Sequence, residues 1–84
     1  MVNRIGIIAI IIEGHKESVA RVNAILSEYS ELVHARMGVP NHEKDLNVIS
    51  LVVEATNEQV GAMTGRLGNL PGVTVKSMMT NKTY

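Results

Sequence analysis

Residues 5–12 read Ile-Gly-Ile-Ile-Ala-Ile-Ile-Ile, and both alternating sets of positions are apolar: Ile5, Ile7, Ala9, Ile11 and Ile8, Ile10, Ile12. Six of these eight residues are isoleucine, whose branching at Cβ disfavours helix and suits a pleated strand. The pattern predicts a strand over about Arg4 to Glu13. A strand apolar on both faces is buried on both faces, so it belongs in the middle of a sheet with something covering each side. Gly14 ends it. From residue 16 to 29 the period changes: Val19, Val22, Leu26 and Tyr29 step by 3, 4 and 3, and Ile25 widens the stripe. That is an amphipathic helix. Gly14 or His15 must serve as its N-cap, and neither caps as well as Ser or Asp. Asn23, at the edge of the stripe, reads as a boundary residue satisfied by backbone or water.

A second strand is expected over about Glu31 to Val39, with Val33, Ala35, Met37 and Val39 on one face and His34, Arg36 and Gly38 on the other. Pro40 is expected to end it, and residues 40–45 (Pro-Asn-His-Glu-Lys-Asp) have turn chemistry. A third strand runs from about Leu46 to Glu54. Thr56 and Gln59 stand at capping-box spacing and open a second helix with Val60, Met63 and Leu67 as its stripe and Gly68 as C′. Leu70-Pro71-Gly72-Val73 turns into a fourth strand, Val73 to about Met79, and Thr80 to Tyr84 is expected to fray. The order β-α-β-β-α-β is that of an α+β, ferredoxin-like fold: a four-stranded antiparallel sheet with two helices on one face. Right-handed crossovers place the first and third strands in its centre. The whole chain, 1–84, reads as one domain, ordered over about 3–79.

Two helices cover one side only. The first strand nevertheless offers isoleucines to both sides, and Val48 and Val52 of the third add to the uncovered one. A contiguous apolar patch of that size is more than monomers normally expose, so a homodimer or homotetramer is expected. By strand parity His34, Arg36, Ser50 and Lys76 share the open face.

Composition narrows the function classes. The 84 residues are 45% hydrophobic and 19% charged, a globular balance. Eight basic residues offset eight acidic ones, which removes the electrostatic footprint of a protein that lives on nucleic acid or an anionic membrane. Cysteine is absent, and with it disulfides, thiolate metal sites and thiol nucleophiles. The apolar run before Glu13 is far short of the roughly 20 residues of a spanning helix, and no small-x-small cleavage site follows. A cytoplasmic location is expected.

Candidate chemistry is sparse. Gly61, Gly65 and Gly68 faintly echo a phosphate loop, but they lie within a helix rather than between strand and helix; close backbone approach is the better expectation. His15, His34 and His42 stand at spacings of 19 and 8, which match no compact metal motif, leaving His34 and His42 as a weak metal-binding alternative. No catalytic residue stands out. Asp45 is the only aspartate, and no Ser-His-acid set has a recognisable context. Acylphosphatase-like enzymes share the fold class, yet Glu13-Gly14-His15-Lys16 stands where their glycine-rich anion loop and arginine would be. RNA-binding sheets of this class stack bases on strand aromatics, and the only aromatics here are Tyr29 and Tyr84. Neither enzyme activity nor a cofactor is expected. The best candidate site is the junction after the first strand. Gly14 allows close approach, the amides of the following helix are poorly capped and open to an anion, and Glu13, His15 and Lys16 line the mouth, with Arg36 arriving from a neighbouring subunit.

Several stretches together carry a family resemblance: Val22-Asn23-x-Ile25-Leu26-Ser27-x-Tyr29, Arg36-x-Gly38-x-Pro40, Val48-Ile49-x-Leu51-Val52, Gly61-Ala62-x-x-Gly65-x-Leu67-Gly68 and Gly72-Val73-x-Val75-Lys76. From about Arg4 to Lys76 the chain resembles the small regulators associated with the iron-only hydrogenase system. These are ACT-like proteins grouped with the C-terminal domain of the nickel-responsive regulator. The resemblance implies an ACT-type fold, self-association through the sheet, and a regulatory or ligand-sensing role without a DNA-binding domain of its own. ACT domains bind small molecules such as amino acids at subunit interfaces near the loop after the first strand, here Glu13-Gly14-His15. A small anionic metabolite or amino acid and a protein partner are the partners implied. Nickel regulators use histidines and a cysteine, and this chain lacks the cysteine.

Neutral charge also removes the counterion-release drive for DNA binding. Titration of labelled duplex DNA at low salt should therefore give no sub-micromolar complex; a tight, salt-sensitive one would overturn the assignment.

Overall fold

The computed structural model describes residues 3–82. Strand β1 (Arg4–Glu13) is followed by helix α1 (Lys16–Glu28) and a short 3-10 turn (Ser30–Leu32). Then come β2 (Val33–Asn41), β3 (Leu46–Ala55), helix α2 (Asn57–Gly68) and β4 (Val73–Met79). The four strands form one antiparallel sheet in the order β2-β3-β1-β4, so β1 and β3 are central as the crossover rule requires. This is the ferredoxin-like, ACT-type arrangement.

Burial separates the two faces of the sheet. Ile8, Ile10 and Ile12 of β1 are buried with Ile49, Leu51, Val53 and Ala55 of β3. Above them lie Val22, Ile25 and Leu26 of α1 and Val60, Met63 and Leu67 of α2. The odd positions of β1 are exposed throughout. Helix α2 starts with a complete capping box: Gln59 N donates to Thr56 Oγ1 at 3.1 Å, and Thr56 N donates to Gln59 Oε1 at 2.9 Å. The two helices are also tied by Arg66, which pairs with Glu28 at 2.8 Å and lies 6.0 Å from the Tyr29 ring centroid.

The structure departs from the sequence pattern in four places. Pro40 does not end β2: it pairs with Asn47, and the strand runs on to Asn41. The strand lies at the sheet edge, where a proline's missing N–H faces outward and breaks no ladder bond. A register shift between Val33 and Ala35 changes the parity of β2, as a bulge does. Val33 then packs against the core, while Arg36 pairs with the buried Leu51 and shares its helix-covered face. Arg36 is therefore not on the open face. Gly68 is the last helical residue, with Asn69 as a right-handed cap, and the chain reverses at Gly72 with φ +74°. Finally, Thr80 is held to β1, its N–H donating to Ile5 O at 2.9 Å and its carbonyl accepting from Arg4 at 3.2 Å. Thr83 and Tyr84, the last two residues of the expected frayed tail, lie outside the described residues.

The expectation of close packing at Gly61, Gly65 and Gly68 is also overturned, since a Cβ at any of them would meet nothing within 4 Å. Helix-interior glycine then carries only its conformational cost. Gly61→Ala and Gly65→Ala should each stabilise the protein by about 0.8–1 kcal/mol, read as a higher urea midpoint at unchanged slope. A loss of stability would mean that another chain packs on that face of α2.

Candidate functional site

Three turns converge at one end of the sheet. Gly14, between β1 and α1, has φ +64°, a left-handed conformation that other L-residues adopt only at a cost. Its N–H donates to Asp45 O at 3.1 Å, and Glu13 N–H donates to Gly72 O at 2.8 Å, joining the β1–α1 junction to the turns before β3 and β4. Ser18, fully buried, donates from Oγ to Pro71 O at 2.7 Å. His15 is the N-cap, and its side chain makes no capping bond. Its Nδ1 instead lies 2.9 Å from Glu17 Oε1. The first amides of α1 therefore keep no side-chain cap, as its sequence suggested.

Beside this junction Lys16, Val19, Asn41, His42, Asp45, Leu46 and Asn47 enclose a cleft of about 520 Å³. Of the residues sequence reasoning placed at the mouth, Lys16 lines this cleft, while Gly14 and His15 line only a small adjoining recess of about 10 Å³ that shares Lys16, Asp45 and Asn47 with it. The sequence reading missed Asn41, Asp45 and Asn47. The signal available was turn chemistry: Asp45 has φ 54°, a conformation that Asp tolerates better than most residues. The mouth is mixed in charge. Lys16 stands with Asp45, whose carboxylate lies 3.9 Å from where a Gly14 Cβ would be, and with His42. Glu13, which the sequence placed here, lines neither the cleft nor the recess and belongs to the exposed odd set of β1.

Arg36 is not part of this group within the chain. It donates from Nη2 to Asn23 Oδ1 of α1 and lines a different cleft, of about 260 Å³, with Leu26, Ser27, Ser30, Val33 and Leu51. His34 lies near the start of β2 and His42 just past its end, with a strand's length of roughly 25 Å between them at the usual rise per residue. One chain does not bring them to one ion. His34 Nε2 is 3.3 Å from Glu54 Oε1. Among the described residues no three His, Cys, Asp or Glu side chains are grouped to hold a metal, and no helix is long and apolar enough to cross a membrane.

The sheet order, the two helices on one face and the junction between β1 and α1 define an ACT-type ferredoxin-like domain. Residues 4–77 match the TM1266-like family, described as iron-only hydrogenase system regulators, and the chain belongs to that family. The protein TM1266 of Thermotoga maritima is 33% identical, with a TM-score of 0.90 over 94% of this chain and 99% of that one. The ACT domain from the GTP pyrophosphokinase of Chlorobium tepidum superposes with a TM-score of 0.71 at 15% identity, covering 93% of this chain and 89% of that one. A formyltetrahydrofolate deformylase from Pseudomonas putida KT2440 gives 0.66 at 12% identity, over 93% of this chain and 29% of that one. These last two share the fold. Comparison with curated proteins finds no match.

Electrostatics at the mouth yields a direct check. The hydrogen bond from His15 is the main reason that the Glu17 carboxyl titrates below the ordinary value of 4.5. A carboxyl depressed by folding contributes stability that is present above about pH 4.5 and is lost as pH falls through its folded value. In His15→Ala the Glu17 midpoint, followed by carboxyl NMR, should rise toward 4.5. An unchanged midpoint would remove that bond as the cause.

Proposed function

We propose that the protein is a regulatory module that self-associates through the open face of its sheet and senses a small molecule at the mouth between β1 and α1. The observation that carries this reading is the open face itself. Ile5, Ile7 and Ile11 of β1, Val48 and Val52 of β3, Met37 and Val39 of β2 and Met78 of β4 are all exposed, and the register puts them on one side. They form two apolar rows. Val52, Ile7 and Met78 are linked across the strands in one, and Val39, Val48 and Ile11 in the other.

Between these rows lies a third, Met37-Ser50-Ala9-Lys76, whose centre is small. Two ridges flanking a shallow trough suit a second copy better than water does. The family to which the chain belongs supports the regulatory role. At the mouth, the Lys16 ammonium beside the Asp45 carboxylate suits a ligand carrying both charges, such as an amino acid, better than a bare anion. The reading is of a sensor and not of a catalyst.

Light scattering at micromolar concentration should give at least a dimer of the 9.1 kDa chain. Ile7→Glu, in the middle of one ridge, should yield a monomer with unchanged circular dichroism. A wild-type monomer, or an unaffected oligomer in Ile7→Glu, would overturn the stacking.

A further inference from the structure

The helix-bearing side of the sheet carries a second cleft, well apart from the mouth. About 16 Å of α1 separates Lys16 from Ser27. Helix α1 and the 3-10 turn do not close over β2 here, which leaves a cavity of about 260 Å³ with Leu26, Val33 and Leu51 as its apolar lining. At the polar rim stand the hydroxyl residues Ser27 and Ser30 and the guanidinium of Arg36. Among the described residues Arg36 has no carboxylate partner: the basic side chains that approach a carboxylate are His15 at Glu17, His34 at Glu54 and Arg66 at Glu28. Its bond is to the neutral amide oxygen of Asn23, which fixes the direction of the guanidinium without neutralising it.

An oriented, uncompensated guanidinium beside two hydroxyl residues and an apolar lining has a definite complement. Arginine's planar fork matches a carboxylate with two parallel bonds, the hydroxyls donate to the same oxygens, and the lining takes a short hydrocarbon chain. We infer that this cleft binds a small aliphatic carboxylate, with Arg36 holding the carboxylate and Asn23 positioning Arg36. The site does not rest on the stacking proposed above. It opens on the helix-bearing side, so a copy seated on the open face leaves it accessible.

The probes are 4-methylpentanoate and its neutral amide, 4-methylpentanamide, titrated into the labelled full chain and followed by amide NMR shifts and calorimetry. The acid should shift Ser27, Ser30, Arg36 and Leu51 in a saturable way and bind roughly tenfold more tightly than the amide. Arg36→Gln should weaken the acid by roughly tenfold while leaving the affinity for the amide unchanged, a split that a purely structural arginine would not produce. Asn23→Ala should weaken the acid less than Arg36→Gln does. Circular dichroism establishes that each variant is folded, and Arg36→Lys, which keeps the charge, should retain part of the preference for the acid. Shifts confined to Gly14–Lys16, equal affinity for acid and amide, or unchanged acid binding in folded Arg36→Gln would each overturn the site. So would the absence of any saturable shift at millimolar acid.

Discussion

The architecture depends on one constraint: β1 is apolar on both sides, and the chain supplies helices for only one of them. Ile8, Ile10 and Ile12 are buried beneath α1 and α2, while Ile5, Ile7 and Ile11, one residue out of phase, remain in contact with solvent. Burying an isoleucine contributes roughly 1.5–3 kcal/mol relative to leaving it exposed. Fold stability comes from one set, and the other set is stabilisation that a single copy does not collect. A small domain has little stability to spare. A sequence shaped only for the monomer would place polar residues at 5, 7 and 11, as antiparallel sheets with one wet face normally do.

The main features of the fold were legible because they follow from local rules. The bounds of β1 and the opening of α2 follow from a run of branched residues and from the Thr56–Gln59 capping box. What could not be read is where one strand changes phase. A shift between Val33 and Ala35 leaves the composition of β2 unaltered and moves Arg36 to the other side of the sheet. Side-chain alternation is reliable only while pairing is regular, and irregularity is fixed by the partner strand, which one-dimensional patterns do not represent. Pro40 obeys the same logic: whether proline breaks a ladder depends on whether the strand lies at an edge.

Much of the mouth was visible because glycine and a weak cap sit in sequence next to Lys16. Asn41, Asp45 and Asn47 were not, since they arrive from a turn about 30 residues away and carry no signal beyond turn propensity. The Arg36 cleft was harder still. Arg36 and Asn23 belong to different elements, and each has an ordinary reading in its own context: a polar residue at the edge of a helical stripe, and a cation on a strand. Only the pairing of β2 with β3 brings the guanidinium over to α1.

Strand β2 links these features physically. Val33 and Arg36 line the cleft on the helix-bearing side, Met37 and Val39 lie on the open face, and Asn41 ends the strand at the mouth. Alternate residues of a strand project to opposite sides of one backbone, so any change in the twist or position of β2 is felt on both faces together. As an edge strand it is paired only to β3, with no second neighbour to restrain it. Its register shift already shows departure from regular pairing. The element best placed to respond to a ligand in either cleft thus also carries two of the most exposed apolar side chains of the open face, Met37 and Val39 at 66% and 53% exposure. In a protein whose open face takes a partner, ligand binding and association would meet on this strand. Coupling between them would require only that β2 adopt two positions with different affinities for the two partners.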